Sequence, residues 1–186
     1  MNGLFTAAAE VCEFMQARGW EFCIIGGLAV QRWGEPRTTL DVDFTLLTGW
    51  GDESEFVEPL LKRFKARSPD AHAIASQYRV LLIRAANGYP VDISLGAVPF
   101  EEEVVQRATM VKFSEELTAP CCTPEDLVIM KAFAGRDQDW FDIKGVIRRQ
   151  TSLDAGRILD CLEQLVDHDD QPDTLPRVRQ LLEDFS

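Results

Sequence analysis

The stretch from Ile24 to Phe44, I-I-G-G-L-A-V-Q-R-W-G-E-P-R-T-T-L-D-V-D-F, constrains the fold more than any other part of the chain. It opens as an apolar strand, breaks at Gly26-Gly27 and continues as a short helix to Trp33. A turn follows at Gly34-Glu35-Pro36, and a second strand, Leu40 to Leu47, carries Asp41 and Asp43. Side chains alternate along a strand with a period of two, so acids one residue apart share a face. Leu40, Val42 and Phe44 then fill the opposite, apolar face. One strand thus offers a core face and a doubly acidic face, and the acidic face is the candidate active centre.

A strand of this kind needs a sheet and covering helices, and the chain has the means to build them. Its 186 residues suit one compact domain, or one domain with a helical extension. With 46% apolar and 27% charged residues it reads as globular rather than disordered. No run of about 18 apolar residues is present, so no membrane span is expected. Residues 1–18 carry Glu10 and Glu13 within their apolar pattern and lack a basic start, unlike a secretory leader. The five cysteines include no C-x-x-C pair, which points away from zinc and toward a reduced, cytoplasmic setting. The net charge of −12 gives no general attraction to nucleic acid.

Taken in order, residues 3–18 have helical apolar spacing that ends at Gly19, and Glu21 to Ile25 is a short strand. After the central stretch, Glu53 to Arg67 reads as an amphipathic helix. Gln77 to Ala85 and Val91 to Leu95, joined through Asn87-Gly88, read as a hairpin. Its second strand, V-D-I-S-L, sets Asp92 opposite Val91, Ile93 and Leu95. Residues 99–107 look helical, and 108–113 and 117–119 extended. From Thr123-Pro124-Glu125-Asp126, a capped helix start, the chain becomes helical: 125–134, 137–149, 153–166 and 175–185, with an acidic connector at 167–173. The expected fold is α/β (α+β): a small mixed sheet flanked by helices over residues 1–120, then a C-terminal helical region, 121–186, packed on that core.

If the strands of Asp41, Asp43 and Asp92 are neighbours, three carboxylates converge. Such a cluster repels itself unless a cation joins it, and a hard, oxygen-ligated ion such as Mg²⁺ suits it. The Gly26-Gly27 turn adds a backbone that a phosphate can approach closely, and a helix N-terminus with free N–H groups. Alone, a Gly-Gly is a tight turn and a D-x-D a solvated edge. The combination is specific: strand, Gly-Gly, short helix, R-T-T-x-D-x-D, then a lone Asp in a later strand.

That combination resembles the nucleotidyltransferase superfamily typified by DNA polymerase beta. More narrowly, G-G-L-A-V-Q-R-W-G-E-P-R-T-T-L-D-V-D-F and T-P-E-D-L-V-I-M-K-A-F-A-G-R-D-Q-D-W-F-D-I are similar to AbiEii-like toxin nucleotidyltransferases and their minimal relatives. The resemblance implies an NTP donor, Mg²⁺ with Mn²⁺ as the alternative ion, and transfer of a nucleoside monophosphate to a hydroxyl on tRNA, protein or a small molecule. It also implies a toxin with an antitoxin partner. Carried over, Gly26 and Gly27 hold the triphosphate, Asp41 and Asp43 hold metal, and Asp92 is the third carboxylate that takes the acceptor's proton. Arg37, Lys131 and Arg136 are nucleotide-binding candidates, and Asp139 and Asp142 complete the second block. Many superfamily members carry Ser where Gly27 stands, and Gly27 gives up that hydroxyl.

Blander readings stand beside these. Lys131 is either a triphosphate contact or a structural counter-charge, and Asp139 and Asp142, three apart on one helix face, either serve the site or bind Arg136 or Lys131. Arg37 either pairs with the D-x-D carboxylates or reaches phosphate. Trp140 reads as core, and Trp50, in a Gly-flanked loop, as the better ligand contact. At the level of function, the alternative to an enzyme is an inactive nucleotide-binding or protein-interaction module of the same fold.

Overall fold

The computed structural model describes residues 3–166 and 171–185. Residues 167–170 of the expected acidic connector lie outside the described residues. The chain divides into two compact units. The first runs up to Leu28 and from Thr38 to Cys122, and the second takes residues 29–37 and everything from Thr123 on.

In the first unit the apolar spacing of the N-terminal segment folds as α1 (Gly3–Gln16), burying Leu4, Ala7, Ala8, Val11, Cys12 and Met15. Strands β1 (Phe22–Ile25), β2 (Val42–Leu47), β3 (Lys65–Ala66), β4 (Val80–Arg84), β5 (Pro90–Gly96), β6 (Thr109–Lys112) and β7 (Thr118–Cys121) form one mixed sheet. Its order is β3-β4-β5-β2-β1-β7-β6. β2 is antiparallel to β1 and parallel to β5, while β4 and β5 form the antiparallel hairpin. Val42, Phe44 and Leu46 join residues of α1, α3 (Glu53–Arg63), α4 (Ala71–Tyr78), β4 and β5 in one apolar core. The opposite face, that of Thr45 and Leu47, meets α5 (Pro99–Gln106), where a Cβ on Gly96 would stand 3.1–3.3 Å from Leu47, Thr45 and Glu101. Burial pushes the Cys12 thiol up to about 12, which makes it an inert core residue rather than a nucleophile.

Three local expectations are corrected. The second strand begins at Val42, not Leu40, and Leu40 is 76% exposed. β1 ends opposite Asp43, where the chain has already turned into a helix, so Leu40 and Asp41 have no ladder to join on that side. The helix begun at Glu53 ends at Arg63 instead of Arg67. Phe64 turns extended and sets its ring 5.2 Å from that of Phe14 in the core, and Lys65–Ala66 becomes an edge strand on β4. Gln77 and Tyr78 end the Ala-rich α4 rather than beginning the hairpin, and Arg79 closes that helix in the left-handed region at φ 53°. The Arg79 side chain bonds the backbone carbonyls of Leu95 and Gly49 and lies 4.4 Å from the Trp50 ring. Trp50 therefore follows the far end of β2 from Asp43, about 13 Å or more along the strand, and is not at the acidic end.

The second unit holds α6 (Pro124–Ala134), α7 (Asp137–Arg149), α8 (Ala155–Leu165) and α9 (Thr174–Asp184). Thr123 caps α6 by accepting from the Asp126 N–H, and its hydroxyl donates to the Asp126 carboxylate at 2.8 Å. Asp126 is fully buried, with Arg157 of α8 at 2.8 Å as its counter-charge. The helix α2 (Gly26–Trp33) starts in the first unit and ends in the second. Its exit is fastened to α7: the Arg149 guanidinium donates to the Gly34 carbonyl at 2.8 Å, and the Gln150 amide to that of Trp33 at 2.6 Å.

Candidate active site

The acidic site grows from three features of the first unit. β2 and β5 run parallel with Asp43 directly beside Asp92, so the two carboxylates share a face. Asp41, one residue ahead of the strand, brings its carboxylate to the same place: Asp41, Asp43 and Asp92 each offer an oxygen within 4.8 Å of the others. They stand where β1 ends and where β2 and β5 begin. The convergence expected from separate strands is thus what the sheet order produces.

The Gly26-Gly27 turn sits against this cluster. Gly26 has φ 59°, and a Cβ there would fall 2.0 Å from Asp43 Oδ2 and 2.7 Å from Asp43 Cβ. A Cβ on Gly27 would fall 2.6 Å from that of Thr39. Glycine is required at both positions for the strand end to become a helix this close to the acids. The Gly27 N–H donates to Asp43 Oδ2 at 3.2 Å, so the helix N-terminus already addresses negative charge.

Each acid has its own partner. Thr39 donates its hydroxyl to Asp41 Oδ1 at 3.0 Å, the Gly27 N–H serves Asp43, and Arg67 forms an ion pair with Asp92. Burial pushes the Asp92 carboxyl up, Arg67 pulls it back and the Asp41 charge raises it again, leaving it above the usual carboxylate value. Thr39 and Arg67 were not among the residues read from the sequence. Thr39 lies inside the R-T-T-x-D-x-D run and was open to that reading. Arg67 carries no local signal, because its sequence pattern continues that of the helix that stops at Arg63.

The second-block residues gather in a network within the second unit. The Lys131 ammonium lies 2.8 Å from both Asp139 Oδ1 and Asp142 Oδ2. Arg37 grips Asp142 at two points, 2.8 and 2.9 Å, and Arg136 holds Asp139 at 2.6 Å. Lys131, Asp139 and Asp142 are 6%, 1% and 4% exposed. Burial would raise both carboxyls, but the hydrogen bonds from Arg136 and Lys131 to Asp139, and from Arg37 and Lys131 to Asp142, outweigh it and hold both below the usual value. These contacts fit the counter-charge reading of Lys131, Asp139 and Asp142, and they place Arg37 on Asp142. Trp140 is half-buried, donating to the Gly135 carbonyl at 3.2 Å, with Arg177 4.0 Å over its ring.

Three hard oxygen donors beside a helix N-terminus, with no thiolate or imidazole among them, fit a divalent ion of the Mg²⁺ kind. A Gly-Gly turn into a helix, two acids at the start of one sheet strand and a third on its parallel neighbour define a nucleotidyltransferase of the DNA polymerase beta-like superfamily. Residues 20–185 match the model of the family described as nucleotidyl transferase AbiEii toxin, type IV TA system, and the chain belongs to that family. It is accordingly an enzyme that transfers nucleoside monophosphate from an NTP. No curated protein matches the chain. Among solved structures, it is similar to an antigenic nucleotidyltransferase-like protein from Paracoccidioides brasiliensis, with 18% identity, TM-score 0.55, and coverage of 95% of this chain and 92% of that one. It is also similar to the antibiotic-resistance factor ANT(2'')-Ia, with 14% identity, TM-score 0.59, and coverage of 95% and 96%. The lincosamide antibiotic adenylyltransferase LnuA shares 12% identity at TM-score 0.54, over 78% of this chain and 97% of its own. At these identities the likeness speaks for the fold. No helix of the described residues is long and apolar enough to cross a membrane.

Proposed function

We propose that Asp41, Asp43 and Asp92 hold Mg²⁺ and carry out the transfer of a nucleoside monophosphate from an NTP to a hydroxyl acceptor. The observation that supports this most is the meeting of three carboxylate oxygens within 4.8 Å at the foot of the Gly26-Gly27 turn. Divalent metal bound there supplies charge neutralisation for the triphosphate and the departing pyrophosphate. Gly26 and Gly27 let α2 start directly beside the acids, and the N–H groups and positive dipole end of that helix favour a triphosphate there. The acceptor oxygen attacks the α-phosphorus, the α–β bridging P–O bond breaks, and pyrophosphate leaves. Asp92 receives the acceptor's proton, a role suited to a carboxyl held above its usual value.

Arg37, Lys131 and Arg136 enter this reading as positioning residues. Arg37 ties the segment 29–37, which leads into Thr39 and Asp41, to Asp142, while Lys131 and Arg136 hold Asp139, and Lys131 also Asp142. A direct contact between Lys131 and triphosphate requires its ammonium to leave two carboxylates. The acceptor is a hydroxyl on tRNA, on a protein or on a small molecule. The charge of −12 works against an extended RNA surface and favours a compact or cationic acceptor. The family description extends the reading to a toxin countered by an antitoxin, for which we propose a cytoplasmic setting. All three carboxylates are present, so nothing favours the inactive module.

The test is calorimetry of each NTP with the protein in the presence of Mg²⁺, followed by transfer assays on separate tRNA, protein and small-molecule pools. Binding of at least one NTP and labelling of one pool supports the reading. Absence of NTP binding with Mg²⁺ present ends it.

A further inference from the structure

Asp92 is paired with a cation, Arg67. Arg67 follows the edge strand β3, and its N–H donates to the Leu82 carbonyl of β4 at 2.9 Å, extending the ladder beyond Ala66. Leu82 is in turn the register partner of Asp92 on β5. The backbone of Arg67 is thus fixed two strands away from Asp92, and its side chain spans β4 to reach the carboxylate. The side chains of Arg67 and Asp92 are 29% and 30% exposed, open enough for the guanidinium to swing away without unpacking the core. Asp41 accepts from the Thr39 hydroxyl, and Asp43 accepts from the Gly27 N–H.

We propose that Arg67 is the resident counter-ion of the Asp92 corner and competes there with divalent metal. This rests on the reading of the three acids as a metal site. With Arg67 on Asp92, one of the three negative charges is already compensated and one ligand carboxylate is engaged. Metal that uses Asp92 has to displace the guanidinium or bind beside its positive charge. Binding without nucleotide is then weakened, and the triphosphate, which brings four negative charges of its own, offers the guanidinium an alternative partner as metal loads. Arg67 would in this way couple full metal loading to the arrival of the nucleotide.

The test measures Mn²⁺ binding to the full chain without nucleotide, by the loss of the free-ion electron paramagnetic resonance signal. Arg67→Gln removes the charge and keeps a polar side chain, and should bind Mn²⁺ about tenfold tighter than wild type. Arg67→Lys keeps the charge and should stay near wild type. Circular dichroism and the melting temperature establish that both variants are folded. Added non-hydrolysable NTP should tighten Mn²⁺ binding in wild type by a larger factor than in Arg67→Gln. Unchanged or weaker metal binding in folded Arg67→Gln, or equal tightening by nucleotide in both proteins, overturns the proposal. If Mn²⁺ fails to bind wild type and Arg67→Gln even with nucleotide, the metal-site reading itself fails along with it.

Discussion

Gly26 shows how little freedom the site leaves its residues. Its φ of 59° and the missing Cβ beside Asp43 are both used, so Gly26→Ala has to strain the backbone and push a ligand carboxylate aside. The backbone term alone is about 1–2 kcal/mol. The variant should melt several degrees lower, and at temperatures where it is folded its transfer rate should be at least about tenfold lower; wild-type kinetics would show that the carboxylate is free to move. Lys131 makes a second residue-level case. Lys131→Met leaves Asp139 and Asp142 buried with less compensation, a loss of about 3–5 kcal/mol in urea unfolding. Because both carboxyls are depressed on folding, their contribution is present above the unfolded value near ~4 and is lost as pH falls through the lower folded values. Wild-type stability should therefore fall steeply below about pH 4, and the fall should be shallower in Lys131→Met.

At the scale of elements, the segment 29–37 matters most, because it joins the glycine turn to the acids. Arg149 and Gln150 hold the carbonyls of Gly34 and Trp33, and Arg37 grips Asp142 at two points. Lysine has no planar fork to reproduce that grip. Arg37→Lys should therefore be closer to Arg37→Ala than to wild type, both losing about 2–3 kcal/mol in urea unfolding; full stability in the lysine variant would show that charge alone suffices. The same elements mark what could be read in advance. The D-x-D pair, the Asn-Gly hairpin and the Thr-Pro cap are local patterns, and each produced the expected element, although β2 starts at Val42 rather than Leu40 and β4 at Val80 rather than Gln77. That Asp92 faces Asp43 depended on β5 lying beside β2, which no local pattern states. Arg67 was missed for the same reason, since its partner lies two strands away in the sheet and 25 residues on in sequence. Nor does the membership of residues 29–37 in the second unit follow from composition, since it rests on bonds to residues more than 100 positions later.

For the molecule as a whole, the charge of −12 sets a condition on any triphosphate ligand. Protein and nucleotide repel each other unless metal lies between them. NTP with Mg²⁺ should raise the melting temperature, in line with about 2.7 kcal/mol at a hundredfold excess over Kd, while NTP with a chelator should not. The central claim is that three carboxylates brought together by β2 and β5 perform the transfer. It is tested most directly by incubating the protein with α-labelled NTP, Mg²⁺ and the acceptor pools, for wild type and for Asp41→Ala, Asp43→Ala and Asp92→Ala. Wild type should label an acceptor and release pyrophosphate, and each folded variant should lose more than about a hundredfold of that activity. Equal labelling by wild type and Asp43→Ala would contradict the account.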